Sequence, residues 1–124
     1  MESNKLDSPY FIREEFACRC GCGFDTVDSS LLVMMTAIRH YFDKPVVVHS
    51  GARCKTHNQN SGGGKNSQHL IGRACDFHVK DVSLEEVMNV AEDLMDGWGG
   101  LGYYPESGFV HVDTRSGKMA RWRE

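Results

Sequence analysis

The sequence predicts an α+β fold, a single domain in which helices pack on a mainly antiparallel sheet. Two segments show the apolar period of amphipathic helices. Several short segments rich in Val, Phe and Tyr are bounded by Gly, Pro or polar residues, as strands are. The length of 124 residues suits one compact domain and is too short for two of ordinary size. A single domain over residues 1–124 is therefore expected.

The N-terminal third is expected to supply a lead, a knuckle and the first helix. Residues 1–9 are expected to be frayed, followed by a short helix or turn that packs Phe11 and Phe16 inward. The glycines of "CRCGCGFD" favour a knuckle over regular structure. "DSSLLVMMTAIRHYF" predicts an amphipathic helix capped by Asp28 or Ser29. Its expected apolar face consists of Leu31, Met34, Met35, Ile38 and Phe42.

The remaining elements are predicted in order along the chain. "KPVVVHS" is expected to be a short buried strand after Pro45. The Gly-, Asn- and Ser-rich residues 51–68 are expected to be a long functional loop. "ACDFHV" predicts a strand, and "SLEEVMNVAEDLMDG" a helix capped by Ser83 with Glu86 and ended by Gly97. "GLGYY", "GFVHVDT" and "MARWR" are expected to be strands joined by tight turns.

Charge and hydropathy exclude several classes of partner. The net charge is -3 and no long basic run occurs, so a nucleic acid or an anionic membrane surface gains no electrostatic support. No apolar stretch approaches the roughly 20 residues that span a membrane. "MESNKLDSPYF" lacks the apolar core of a signal peptide, so synthesis in the cytoplasm is expected. We expect a monomer with neither a nucleic-acid nor a membrane partner.

The stretch "NSQHLIGRACDFH" contains a candidate metal site. His69 and Asp76 are natural zinc ligands, and a catalytic zinc keeps only three protein ligands. His111, inside "GFVHVDT", is the best candidate for the third. Each of these residues could instead be a hydrogen-bonded core residue or a strand-end cap. His78 shares a strand face with Asp76 and could be an alternative ligand, but a surface or packing role is expected for it.

The cysteines indicate a second site. Five is an odd number, so they cannot all pair in disulfides. Cys18, Cys20 and Cys22 lie within five residues, and with Cys54 their thiolates could close a structural zinc site. A disulfide involving Cys54, or simple packing, stays open, because C-x-C-x-C is tighter than the usual C-x-x-C knuckle. Cys75 is expected to be a small buried residue.

Three motifs resemble those of a known enzyme family. "SQHLIGRACD" resembles the S-x-H-x-x-G-x-A-x-D signature of the zinc D-Ala-D-Ala carboxypeptidases and L-alanyl-D-glutamate endopeptidases, which share a fold with the hedgehog signalling domain. "SGARCKTHN" is similar to the family's S-G-x-R segment, and "GYYPESGFVHVD" to its closing G-x-Y…F-V-H-V-D element. The order and spacing match over roughly residues 45–114. The resemblance implies a hedgehog-type fold, zinc held by His69, Asp76 and His111, and substrate contacts from Arg53 and Ser67.

The sequence departs from the family at the general base. Many relatives carry an acid three positions before the last histidine ligand, where this chain has Gly108. Glu106, in the turn before that strand, is predicted to be the base. Asp113 is predicted to orient a ligand histidine, and its service as the base stays open. Tyr104 and Tyr103 could donate hydrogen bonds to substrate or oxyanion, or simply pack.

Together these features predict a zinc peptidase that hydrolyses peptide bonds next to D-amino acids in bacterial peptidoglycan, with zinc-bound water as nucleophile. The resemblance also implies a compact, phage-lysin-like enzyme that reaches the wall once the membrane is permeabilised. Carboxypeptidase and endopeptidase action both remain open. The alternative, motivated by Gly108, is a non-catalytic zinc-containing module that binds wall peptides or a protein partner. A structural component of a phage particle is a third option.

Overall fold

The computed structural model describes residues 5–124 and contains a five-stranded sheet with helices packed on it. The strands are β1 Val46–Ser50, β2 Ala74–Val79, β3 Gly100–Tyr104, β4 Phe109–Asp113 and β5 Ala120–Arg123, in the order β1-β2-β4-β3-β5. Neighbouring strands are antiparallel except β3 and β5, which are parallel. The helices are α1 Ser29–Phe42, α2 Lys55–Asn60 and α3 Leu84–Met95, with 3-10 turns at Arg13–Phe16 and Gln68–Ile71. The predicted α+β class is confirmed.

The two faces of the sheet have different environments. Along β2, Cys75 and Phe77 are fully buried in the core, as are Val110 and Val112 on β4. α1 and α3 also contribute to this core, which therefore lies between the helices and one face of the sheet. Because side chains alternate along a strand, the residues between these apolar positions point to the opposite face. The predicted ligands on β2 and β4 are among them.

Both long helices begin where the sequence predicts. Asp28 accepts a backbone hydrogen bond in the first turn of α1 at 3.1 Å, and Ser83 does the same for α3 at 3.2 Å. α3 ends at Met95, and the next residue, Asp96, adopts the left-handed conformation one residue before the predicted terminator Gly97. No helix within residues 5–124 is long and apolar enough to cross a membrane.

Two predictions about the middle of the chain are wrong. β1 is not a buried strand but an edge strand that pairs only with β2 in the sheet order, so Val47 is 43% exposed. The segment 51–68 is not one long loop, because it contains α2 and leads into the 3-10 turn at Gln68–Ile71. α2 forms because Cys54 caps it and the Asn58 side chain is buried and hydrogen-bonded to the Gly64 carbonyl at 2.9 Å.

The N-terminal lead is also more ordered than expected. Lys5 pairs with Ile12 in an isolated bridge, and Leu6 packs against the core. Residues 1–4 of the predicted lead lie outside the described residues. Phe11 and Phe16 are buried, as predicted, at 4% and 0% exposure. Through these two side chains the N-terminal segment packs against the hydrophobic core.

A glycine of the first motif fixes the approach to β2. Gly72 has a φ of +69°, and a Cβ there would lie 2.4 Å from the Thr26 carbonyl oxygen. Gly72→Ala is therefore expected to lower the free energy of unfolding by about 2–5 kcal/mol, from left-handed strain plus steric overlap. Urea denaturation measures this loss.

Gly117→Ala is the matched control for that substitution. Gly117 has a φ of +78° but nothing within 4 Å of a Cβ, so only the conformational cost of about 1–2 kcal/mol is expected. If both variants lost the same free energy of unfolding, the overlap with the Thr26 carbonyl would not contribute to the cost of Gly72→Ala.

Candidate metal centre

Three elements bring the predicted ligands together. Asp76 on β2 and His111 on β4 are direct partners in the strand register, and His69 lies in the 3-10 turn before β2. Asp76 Oδ1 is 3.3 Å from His69 Nε2 and 2.8 Å from His111 Nδ1. One ligand atom from each residue lies within 4.8 Å of the others, and all three residues are buried. The set predicted from the sequence thus converges on one point.

The second nitrogen of each histidine is already engaged. His69 Nδ1 lies 2.7 Å from the Gly51 carbonyl oxygen, so it carries a proton and donates it. His111 Nε2 lies 2.8 Å from Asp113 Oδ2 and donates in the same way. These bonds leave His69 Nε2 and His111 Nδ1 directed towards Asp76 Oδ1, which is how metal-binding histidines are oriented. The donor set, two imidazoles and a carboxylate, fits zinc with one position left for water.

Asp113 is fitted to hold His111. Its side chain is fully buried, and Arg115 donates to Oδ1 from Nε at 2.8 Å and to Oδ2 from Nη2 at 2.7 Å. Burial alone would raise the pKa of the Asp113 carboxyl, but the hydrogen bonds from Arg115 and His111 hold it well below its usual range. Both oxygens are engaged, so this carboxylate orients a histidine and is poorly placed to accept a proton from water.

Arg53 serves Asp76 in a similar way. Arg53 Nη2 donates to Asp76 Oδ2 at 3.0 Å, and its other groups contact Ser50 Oγ at 2.9 Å and Asn58 Oδ1 at 3.3 Å. The guanidinium thereby fixes one carboxylate oxygen and leaves the other facing the histidines. The substrate contact that the resemblance implies for Arg53 stays a prediction, since these bonds occupy much of its donor capacity.

Electrostatics have opposite consequences for metal binding at Asp76 and at His111. Burial would raise the pKa of Asp76, but hydrogen bonds from His111 and His69 lower it well below its usual range. Burial would lower the pKa of His111, but Asp113 and Asp76 outweigh it and raise that pKa. The Asp76 carboxyl therefore stays ionised, as a metal ligand must be, whereas a metal ion has to displace a proton from His111 in order to bind it.

The centre lies in the wall of a cavity of about 390 Å³. Besides the three ligands, the lining includes four residues singled out from the sequence, namely Arg53, Ser67, Tyr104 and Asp113. Ser67 caps the 3-10 turn by accepting from the His69 backbone N–H at 3.2 Å. The rest of the lining comes from the glycine-rich residues 61–64, from Asn66 and Gln68, and from three side chains that the sequence did not indicate, namely Phe109, Arg115 and Trp122.

Trp122 is the main residue that the sequence did not reveal. Its ring centroid is 5.0 Å from that of His111, and its Nε1–H donates to the Tyr104 hydroxyl at 2.8 Å. Tyr104 also stacks on Phe109 with centroids 4.6 Å apart. A Cβ at Gly102 would lie 2.5 Å from Trp122 Nε1, so the glycine makes room for the indole. The available signal was that glycine in mid-strand, which often marks close approach of another group.

The predicted base is not brought to the cavity. Glu106 is exposed in the turn between β3 and β4, and its backbone N–H donates to Glu124 Oε1 at 2.9 Å. Among residues 5–124, the carboxylates that line the cavity are Asp76 and Asp113. Assignment of Glu106 as the base has no support from this placement and stays a prediction.

Two other candidates are placed away from the ligands. His78 Nδ1 pairs with His49 Nε2 at 2.7 Å, and the described cavity lining includes neither. Tyr103 packs against Arg123, whose guanidinium carbon is 5.4 Å from the ring centroid. The expected packing role of His78 agrees with this contact.

The cysteines occupy two different environments. Cys75 is fully buried, as predicted. The sulfur atoms of Cys18, Cys20, Cys22 and Cys54 lie within 4.8 Å of one another. All five thiols are free.

The fold and the donor set together define a protein with a His–Asp–His metal centre on a mainly antiparallel sheet. The chain belongs to the peptidase M15 family, whose model, described as Peptidase M15, matches residues 9–113. That match extends beyond the motif-bearing residues 45–114 to the cysteine knuckle.

Two curated relatives are similar to part of the chain. It is 46% identical over 65 residues to the probable peptidoglycan L,D-endopeptidase MepK of Haemophilus influenzae, a match that covers 52% of this chain and 33% of that protein. It is 39% identical over 84 residues to the peptidoglycan L,D-endopeptidase MepK of Escherichia coli K12, covering 64% and 44%. The chain thus spans less than half the length of these relatives.

Proposed function

We propose that this chain is a zinc peptidase that hydrolyses peptide bonds in bacterial peptidoglycan. The observation that carries the proposal is the convergence of His69, Asp76 and His111 in a cavity wall, with the second nitrogen of each histidine hydrogen-bonded. Membership of the peptidase M15 family supports it. The names of the two relatives support an L,D bond as the one cleaved, by endopeptidase action.

The residues around the metal centre have different roles in binding the substrate. Zinc, when bound, supplies the Lewis acidity that activates water and polarises a carbonyl. The Tyr104 hydroxyl accepts from Trp122, which leaves its own proton to donate to a substrate oxygen. The Ser67 hydroxyl likewise accepts from the His69 backbone and keeps a proton for a substrate carbonyl. The Trp122 ring packs beside His111 and forms part of the cavity wall that substrate would contact.

A non-catalytic module is the second candidate. It is favoured by Gly108 at the family's acid position and by the full engagement of Asp76 and Asp113 within the described lining. Such a module would bind wall peptides through the same cavity without cleaving them. Binding of peptidoglycan fragments with no new termini would identify it.

Metal removal tests the enzymatic proposal. Purified peptidoglycan incubated with the full chain is expected to yield new peptide termini, and chelation is expected to stop their release because no described residue replaces the Lewis acid. Zinc added back should restore it. Undiminished release after verified zinc removal would contradict the proposal.

The identity of the products decides the finer assignment. Mass spectrometry of soluble fragments is expected to show cleavage between an L- and a D-residue. Free D-alanine as the sole product would indicate carboxypeptidase action instead. We also carry forward as a proposal the setting of a lysin released from a phage-infected cell. Faster lysis of bacteria with permeabilised membranes than of intact ones would support it, and equal rates would oppose it.

A further inference from the structure

We propose that Cys18, Cys20, Cys22 and Cys54 form a structural zinc site separate from the His–Asp–His centre. Their four sulfur atoms lie within 4.8 Å of one another. Cys18 Sγ is 3.4 Å from Cys20 Sγ, which is 3.6 Å from Cys54 Sγ. Tetrahedral zinc with bonds of about 2.3 Å places its sulfur ligands about 3.8 Å apart. The thiols therefore stand close to the geometry that the ion requires.

The backbone explains how an unusually tight spacing gathers three sulfurs. The Cys18 N–H donates to the Phe24 carbonyl at 2.7 Å and closes the segment into a loop. Within it, Gly21 and Gly23 have φ values of +82° and +93°, which side-chain-bearing residues rarely adopt. The Gly21 N–H donates to the Cys18 carbonyl at 3.1 Å, so the chain turns directly after Cys18. This turn and the two positive-φ glycines fold the chain back on itself, so that C-x-C-x-C brings its three sulfurs together, as the longer C-x₂₋₄-C spacing does for two sulfurs in other zinc knuckles.

Backbone donors are already directed at two of the sulfurs. The Cys54 N–H donates to Cys18 Sγ at 3.4 Å, and the His57 N–H donates to Cys54 Sγ at 3.4 Å. Hydrogen bonds from N–H groups favour an anionic acceptor. They therefore stabilise the thiolate form, which is the form that binds zinc.

Packing does not account for the cluster. Cys20 and Cys22 are exposed and Cys54 is half-buried, so three of the thiols gain little from burial. A single disulfide involving Cys54 would bond only two of the four sulfurs and leave two thiols beside it. A zinc ion uses all four, and Cys75 on the core face takes no part.

The site would hold together the segment that positions the metal centre. Cys54 directly follows Arg53, whose guanidinium fixes Asp76 at 3.0 Å. Two residues before Arg53, the Gly51 carbonyl accepts from His69 Nδ1 at 2.7 Å. Zinc bound at Cys54 would join this loop to the N-terminal knuckle. The ion would thus stabilise the orientation of two ligands without contacting substrate.

Metal counting on the unaltered chain is the first test. Protein purified from zinc-replete cells is expected to contain two zinc ions per chain by mass spectrometry. A thiol-specific mercurial should release one of them, detected with a chromogenic chelator, since it displaces only thiolate-bound zinc. Cobalt substitution should give a sulfur-to-cobalt charge-transfer band. The site is overturned if the mercurial releases no zinc and cobalt gives no such band.

Variants assign the ion to its ligands. Cys22→Ser and Cys54→Ser are each expected to lose the mercurial-released zinc, whereas Cys75→Ala, the matched control, keeps it. Loss of that zinc in Cys75→Ala but not in the other two would overturn the assignment. Fewer than five free thiols in freshly denatured protein, indicating a disulfide, would do so as well. The cobalt spectrum needs no variant, so a failure to fold leaves the test intact.

This test is independent of the peptidase proposal. His69→Ala is expected to keep the mercurial-released zinc and the cobalt charge-transfer band. A chain that binds zinc at its cysteines but cleaves no peptidoglycan would support the structural site and contradict the enzymatic function. A chain that cleaves peptidoglycan and contains one zinc ion, which is not bound to thiols, would support the enzymatic function and contradict the structural site.

Discussion

Replacing His69 with alanine is expected to remove one equivalent of zinc and to reduce peptidoglycan hydrolysis by more than about 100-fold, the upper effect of residues that only orient a ligand. The change leaves two protein ligands on the ion where a catalytic zinc has three. It also deprives Asp76 Oδ1 of a neighbour 3.3 Å away in a buried site. Metal analysis and the rate of release of new peptide termini measure the two effects.

His78→Ala is the matched control for this prediction. His78 lies two residues from Asp76 on β2, but its ring pairs with His49 at 2.7 Å. The variant should therefore keep its zinc and most of its activity. If His78→Ala lost the metal while His69→Ala kept it, the ligand set would be wrong. Circular dichroism should show that both variants remain folded.

The ligand-bearing strands could be predicted because their signal is local. β2 and β4 each alternate apolar core residues with polar ones, a pattern that is visible in "ACDFHV" and "FVHVD". Their pairing is not local, since Asp76 and His111 are 35 residues apart along the chain. Residue types and the apolar strand around it made His111 the best candidate for the third ligand, with a core role left open. The family resemblance indicated that Asp76 and His111 bind the same zinc, and the register of β2 and β4 places them opposite each other.

Features that depend on distant contacts were not predictable. α2 has the polar sequence "KTHNQN", without an apolar period, and it forms around the buried Asn58 side chain. Trp122 reaches the cavity because β5 adds to the edge of β3 in parallel, and no spacing in the sequence indicates that pairing. Glu106 has a carboxylate and lies close to His111 in the sequence. The conformation of the turn between β3 and β4, which the sequence does not reveal, decides whether that carboxylate reaches the cavity.

The hydrogen bonds of the Asp113 carboxylate predict the second large loss of zinc affinity or activity on mutation. Asp113→Asn is expected to weaken zinc binding or activity by about 10- to 100-fold, as loss of a carboxylate that orients a ligand histidine does. The amide has one acceptor oxygen, yet His111 Nε2 and three N–H groups of Arg115, one of them in the backbone, all donate to this side chain. Its NH₂ group must therefore face a donor, and His111 loses its fixed tautomer. Zinc competition titration and ¹⁵N spectra of the imidazole measure the affinity and the tautomer.

Glu106→Gln separates orientation from proton transfer. The exposed position of Glu106 outside the described cavity lining leads us to expect unchanged zinc affinity and little change in kcat. A loss of about 10²–10⁴-fold in kcat with zinc retained would instead identify Glu106 as the general base. The same result for Asp113→Asn, with zinc affinity and the His111 tautomer unaltered, would assign the proton transfer to Asp113. Of these two carboxylates, the one whose replacement lowers kcat while the metal site stays unaltered is assigned the proton transfer.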